Sequence, residues 1–254
     1  MHQLLKFLYS LKFPLFKRLI PSLIKRFFLN KTQIINLNFC TIKLDLTQAI
    51  DREIYLNGFY EKEQLMFLQK ICDEKNFNHF FDIGANIGYY SLFFKKIKNI
   101  YAFEPNKKNF LKLKENINLN NLNINTYNFG LSNSNSKTEI WYTNKDKMGG
   151  SAIFDKNDTE LKKYKKENII SEKIFIKKLD DIIHIDNEKI LIKIDVERHE
   201  KKVLEGMSKL IQQNNIIMQI EVGNEQKDEV FKLLNKFKLN WINTIRHDHF
   251  FIKD

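Results

Sequence analysis

The sequence predicts an α/β fold built on an open, mostly parallel sheet with helices on both faces. Three observations carry this. From residue 79 onward, short apolar runs (HFFDI, NIYAFE, NINTYNF, KILIKID, NIIMQIEV) alternate with segments of helical period, the pattern of repeated strand–helix units. The acids that stand out, Asp82, Glu104, Asp195 and Glu221, each end one of these runs, and open α/β sheets bind ligands beyond the carboxyl ends of their strands. The chain has 254 residues, 43% of them hydrophobic. That is enough for one large domain, or one domain with an appendage.

Residues 1–57 read as the appendage and residues 58–254 as the main domain. Leu4, Leu8, Leu11, Leu15 and Leu19 lie at helical spacing, but Pro14 and Pro21 would break any helix there into short pieces. Residues 34–56 read as extended, with apolar alternation at Ile35, Leu37 and Phe39, then Ile42, Leu44 and Leu46. Asn57-Gly58 signals a turn. YEKEQLMFLQKICDEKN places Leu65, Leu68, Ile71 and Cys72 on one helical face. The alternating units then begin. NIGYYSLFFKKI follows the first strand, and PNKKNFLKLKENINLN follows the second, with Pro105 in its first turn. Residues 131–189 fit no simple unit. They hold a polar loop around Met148-Gly149-Gly150-Ser151, a lysine-rich stretch and a strand-like EKIFIKKL, and are expected to shape an acceptor site. HEKKVLEGMSKLIQ reads as one helix, EVFKLLNKF as another, and WINTIRHDHFFIKD as a closing antiparallel hairpin.

The formal net charge is +11. Lys6, Lys12, Lys17, Arg18, Lys25 and Arg26 supply six of these charges within a segment that has no acid. No nucleic-acid reading module accompanies the charge, so a solvated lysine-rich surface is expected rather than a nucleic-acid partner. Basic residues interrupt residues 1–30 too often for a membrane span or a signal peptide. That segment is left to touch an anionic membrane surface, the domain or a second subunit of a homodimer. Cys40 and Cys72 form no disulfide or zinc framework, in keeping with a reducing cytoplasm.

The chemistry lies at the strand ends. In FFDIGANIGYYS the turn Gly84-Ala85-Asn86-Ile87-Gly88 lacks the middle glycine of a dinucleotide fingerprint. Asp82, just before it, would repel a pyrophosphate. An acid there suits a cationic, phosphate-free ligand such as S-adenosylmethionine. Glu104 follows Gly84 by twenty residues, the position from which a carboxylate takes a ribose diol. At the fourth strand end, KIDVERHE gathers Asp195, Glu197, His199 and Glu200. His199 or Glu197 is the candidate general base for an acceptor hydroxyl. Asp195 faces the cofactor or orients the acceptor. Asp195 with Glu221 is a pair that a hard divalent cation would suit; no metal site is otherwise expected.

These motifs together resemble the FkbM family of S-adenosylmethionine-dependent methyltransferases. The resemblance rests on Asp82–Gly88, Ala102–Asn106, Asn116–Asn120, Leu131–Asn133, Leu179-Asp180, Ile192–Glu200 and Val203–Gly206, with Gly58–Glu61 upstream. Arg198 stands where the family usually has glycine. The resemblance implies a class I methyltransferase (Rossmann-like) fold and methyl transfer, commonly to a hydroxyl of a sugar or natural product. It implies that Asp82, Gly84 and Asn86 hold the methionine end, Glu104 the ribose, and the segment near Phe129-Gly130 the adenine. Gly88, Pro105, Asn106, Asp195 and Glu61 are further candidates for cofactor binding. The low-proline, lysine- and asparagine-rich style resembles proteins of AT-rich bacterial genomes, which points to a capsule or lipopolysaccharide sugar precursor as acceptor. Another small molecule or a lipid-linked acceptor is the alternative. A nicotinamide-dependent sugar oxidoreductase shares the architecture, but the chain has no Y-x-x-x-K pair. Base-amine methylation is disfavoured, because the prolines are Pro14, Pro21 and Pro105 alone and none follows the fourth strand.

Overall fold

The computed structural model describes residues 31–143 and 169–253. The readings of residues 1–30, of the Met148–Ser151 loop and of the lysine runs at 162–166 lie outside them. A seven-stranded sheet forms the centre, in the order β11 (Asn240–Ile245), β12 (Asp248–Lys253), β10 (Asn215–Glu221), β9 (Lys189–Ile194), β3 (His79–Ile83), β4 (Asn99–Phe103), β5 (Asn125–Tyr127). Strands β3, β4, β5, β9 and β10 are mutually parallel. β12 runs antiparallel between β10 and β11, which is the expected closing hairpin.

Period-two alternation sends each strand's side chains to two different cores. Phe80 of β3, Leu191 of β9, Ile217 of β10 and Phe250 of β12 face one cluster. That cluster is covered by the hairpin β1 (Thr32–Asn36)–β2 (Thr41–Asp45) and by helices α1 (Ala49–Asn57), α2 (Lys62–Lys75) and α3 (Tyr89–Phe93). Phe81, Ile192, Met218 and Phe251 face the other, covered by α5 (Glu200–Gly206), α6 (Ser208–Gln213) and α7 (Lys227–Lys236). Helix α4 (Lys107–Leu119) packs Leu113 and Ile117 against Ala85 and Ala102. Its buried Asn116 accepts from Lys43 N at 2.8 Å and donates to Ile87 O at 2.9 Å. One side chain thus ties the β1–β2 hairpin to the glycine turn.

Four local expectations are corrected. Residues 49–57 are helical rather than extended: Ile54, Tyr55 and Leu56 are buried, and buried Asp51 in the first turn accepts from Asp45 N at 2.6 Å. Pro105 lies before the helix, because the side chain of Asn106 caps α4 by accepting from Asn109 N. HEKKVLEGMSKLIQ is two helices that meet at Met207. Asp180, in a short 3-10 turn at Leu179–Asp181, makes the second start possible by accepting from Lys209 N and Leu210 N at 2.9 and 3.0 Å. Within the described part of 131–189 a small sheet forms: β7 (Ser136–Thr143) pairs antiparallel with β8 (Ile169–Lys177), which also pairs with β6 (Gly130–Leu131).

Candidate active site

The same alternation that builds the first core turns polar at the carboxyl ends of the strands. In register, Asp82 stands beside Lys193, and Lys193 beside Gln219. Glu221 stands beside Asp248. Each lies two or four residues beyond an apolar position on the same face (Phe80, Leu191, Ile217), or two before Phe250 on the antiparallel strand. The seam continues onto the helices that cover this face. Tyr90 OH donates to Glu61 at 2.7 Å and accepts from Gln219 at 3.0 Å. Gln219 and Gln64 donate to the two oxygens of Asp248 at 2.8 and 2.9 Å.

Lys193 sits in the midst of this seam. Its Nζ lies 3.0 Å from Asp195 and 4.7 Å from the centre of the Tyr90 ring. Burial disfavours its charge, yet Asp195, Glu61 and Asp82 together hold the ammonium above its ordinary range. The acids carry the opposite strain. Burial pushes Glu61 up to about 7 against the pull of Lys193. Burial and the neighbouring Asp195, Asp248 and Glu197 push Glu221 up to about 9. Burial also raises Asp82 and Asp248.

The glycine turn is shaped by close approach. Gly84 has φ +83°, and a Cβ there would lie 1.9 Å from the carbonyl oxygen of Asp195. At Gly88, φ +86°, a Cβ would lie 2.5 Å from Leu113 Cδ1. Glu104 is buried, and its two oxygens accept the backbone N–H groups of Asn86 and Asn106, both at 2.8 Å. Burial nonetheless pushes its carboxyl up to about 7. Each oxygen keeps a further lone pair, so the oriented carboxylate has acceptor capacity to spare. Asp82 accepts from Ser91 N and Oγ through Oδ2, whereas its Oδ1 is buried without a hydrogen-bond partner. An orphaned acceptor beside the turn and a preoriented carboxylate suit a ligand bringing an ammonium and a diol.

The expected site residues therefore divide. Asp82, Gly84, Asn86, Gly88, Glu104, Glu61, Asp195 and Glu221 come together, and Glu197 lies close enough to act on Glu221. Asn106 joins through its backbone N–H, because its side chain caps α4 and donates to Glu172 at 3.1 Å. Phe129 packs on Phe103 and Tyr127, with Lys177 Nζ 4.8 Å from its ring centre. His199 is buried at the start of α5, shares a 3.0 Å hydrogen bond with Ser132 Oγ, and is lowered by burial to about 4, which makes it a weak base. Glu197 and Arg198 both adopt left-handed backbone, φ 51° and 67°. Arg198 thus takes a conformation that glycine would adopt without strain. Among the described residues no group of three or more His, Cys, Asp or Glu is placed to hold a metal ion, and no helix is long and apolar enough to cross a membrane.

The buried acids set a pH dependence. Glu61, Glu104 and Glu200 sit at about 7, and Glu221 at about 9, above an ordinary 4.5. Each contributes stability that is fully present below the unfolded value and is lost as pH rises through the folded one. His199 and His249, lowered to about 4, act in reverse, but only below about 6.5. The ligand-free protein should therefore melt several degrees higher at pH 6.5 than at pH 9, with Glu221 the largest contributor. A thermal-shift series that is flat or falls over that range would contradict the burial of these acids.

Comparison with known proteins places these features in a family context. A family model described as the methyltransferase FkbM domain matches residues 82–246. The hexuronic acid methyltransferase AglP of Haloferax volcanii is 28% identical over 173 residues, which cover 67% of this chain and 67% of that protein. Among solved structures, methyltransferase FkbM from Methylobacillus flagellatus KT is 14% identical with a TM-score of 0.46, over 70% of this chain and 44% of its own. The tRNA (uracil-54, C5)-methyltransferase of Pyrococcus abyssi, in complex with S-adenosyl-L-homocysteine, is 8% identical with a TM-score of 0.46, over 88% of this chain and 44% of its own. The chain thus spans less than half the length of either solved protein.

Proposed function

The chain belongs to the FkbM methyltransferase family, and from that premise we propose that it is an S-adenosylmethionine-dependent O-methyltransferase acting on a hydroxyl of a sugar, a bacterial surface-glycan precursor. The observation that carries the cofactor reading is the pairing of Glu104 with Asp82. Glu104 is oriented by Asn86 N and Asn106 N, and Asp82 offers an unpartnered buried oxygen nearby. In this reading Glu104 takes the ribose diol. Asp82, Asp195 and Glu61 face the ammonium side, and Gly84 and Gly88 bring strand, turn and helix close. Pro105 and Asn106 lead into α4, and Phe129-Gly130 flank the adenine. When bound, S-adenosylmethionine supplies an electrophilic methyl group.

The protein's own work is positioning and proton handling. The acceptor oxygen must lose its proton as it attacks. His199 is poorly suited to take it, being bonded to Ser132 and lowered to about 4. The role passes to the carboxylates, with Glu61 near neutrality and Glu197 close by. The relative that acts on hexuronic acid supports a sugar-type acceptor. The test is incubation with S-adenosylmethionine and a sugar-nucleotide extract of the source cells. A gain of about 14 Da on a sugar, one methyl replacing hydrogen, is expected, and it should disappear with Glu104→Ala, whose carboxylate is the one proposed for the cofactor ribose. Methylation confined to nucleic acid or protein would overturn the reading.

A further inference from the structure

Glu172 lies on strand β8, 66 residues along the chain from Asn106, yet the two side chains meet. Its Oε2 accepts from Asn106 Nδ2 and its Oε1 from Lys107 N, both at 3.1 Å. Tyr142 of β7 donates to the same Oε2 at 3.4 Å. The packing of β8 sets the carboxylate there. Period-two alternation puts Glu172 on the face that carries Ile174 and Ile176, and these are buried together with Ile140 of β7. Glu172 is the half-buried polar continuation of that face. Lys107 N is the first amide of α4. It has no acceptor within the helix, and a negative charge at that end is favoured by the helix dipole.

Asn106 carries this contact to the site. Its Oδ1 accepts from Asn109 N at 3.0 Å, its Nδ2 donates to Glu172, and its backbone N–H donates to Glu104 Oε1 at 2.8 Å. What holds the buried Asn106 side chain therefore also directs the N–H that orients Glu104. Asn128 secures the same turn by donating to the carbonyl oxygens of Glu104 and Pro105 at 2.9 and 3.1 Å. Strand β8 reaches further. Its Ile176 pairs with Gly130 of β6, and its Lys177 O accepts from Ser132 N at 2.9 Å. One strand thus braces both the turn after Glu104 and the segment after Phe129.

We infer that Glu172 is a positioning residue for the cofactor: from β8 it fixes the start of α4 and, through Asn106, the orientation of the Glu104 carboxylate that takes the ribose diol. The inference rests on the proposed cofactor reading and deepens it. A carboxylate suits the task, because it offers one oxygen to each of two facing N–H donors. An amide of the same size would turn its own N–H groups toward one of them. Without Glu172, Glu104 keeps its charge but loses the fixed direction that matched hydrogen bonds to a diol require.

Calorimetric titration of the full chain with S-adenosylhomocysteine tests this, on the parent, Glu172→Ala, Glu104→Ala and the double variant. Glu172→Ala should bind about 10-fold more weakly than the parent. Added to Glu104→Ala, it should cost nothing further, because both changes act through one carboxylate. Glu172→Gln keeps the side chain's size and one acceptor, so its affinity should fall between those of the parent and Glu172→Ala; it carries the same cycle if the alanine variant does not fold. Parent-like affinity in Glu172→Ala overturns the inference. So does an equal loss with and without Glu104, the result of a merely structural role. In both cases a weakened Glu104→Ala leaves the cofactor reading standing. Unchanged affinity in Glu104→Ala overturns both.

Discussion

Lys193→Met is expected to destabilise the protein by about 3–5 kcal/mol at pH 8, the effect of removing one partner from a buried charge cluster. The methionine fills much of the same space, so the loss is electrostatic rather than a cavity. Lys193 is 5% exposed, is bonded to Asp195 and opposes the charges of Glu61 and Asp82. Without it those acids must share the seam uncompensated, or take up protons. The deficit should therefore shrink as pH falls toward 6, where the raised carboxyls neutralise themselves. Urea titration at both pH values checks this, through a lower midpoint at unchanged slope. A loss under 1 kcal/mol, equal at pH 6 and pH 8, would mean that Lys193 is not the counter-charge of the site.

Gly84→Ala is the second large effect. The methyl group would sit 1.9 Å from the Asp195 carbonyl oxygen, which is backbone of the neighbouring strand, and the residue holds φ +83°. The left-handed conformation alone costs about 1–2 kcal/mol for a residue with a side chain. The clash forces the β3 and β9 ends apart, for an expected total of roughly 3 kcal/mol or more. Gly58→Ala is the control: it shares a positive φ, +75°, but nothing lies within 4 Å of its Cβ position. It should lose about 1 kcal/mol only. Equal losses in the two variants would mean that the turn is not held by its contact with Asp195.

The sheet was legible in the sequence because its strands are buried on both faces and read as unbroken apolar runs, with Asp82 and Glu104 marking their ends. The seam between the strands was not. Lys193 and Gln219 are the buried polar residues within the apolar strands KILIKI and NIIMQIE. A single polar residue of the same parity as Asp82 is the signal that identifies them. Tyr90, Gln64 and Asp248 reach the seam from elements distant in the chain, and no local pattern couples them. His199 reads as a catalytic base in KIDVERHE, whereas its bond to Ser132, 67 residues away in the chain, leaves no mark in that motif. Helix α1 escaped notice because the strand alternation before it runs into the helical spacing of Ile50 and Ile54 without a proline or glycine between them.

In the proposed function a cationic, phosphate-free nucleoside cofactor is held between Asp82 and Glu104. Calorimetric titration of the ligand-free protein with S-adenosylmethionine and with NAD tests it most directly, on the parent chain and on Glu104→Ala. Binding of S-adenosylmethionine is expected, with no binding of NAD and at least about a 100-fold weaker affinity in the variant, from the loss of two charge-assisted hydrogen bonds. Binding of NAD instead, or an S-adenosylmethionine affinity that Glu104→Ala leaves unchanged, would contradict it.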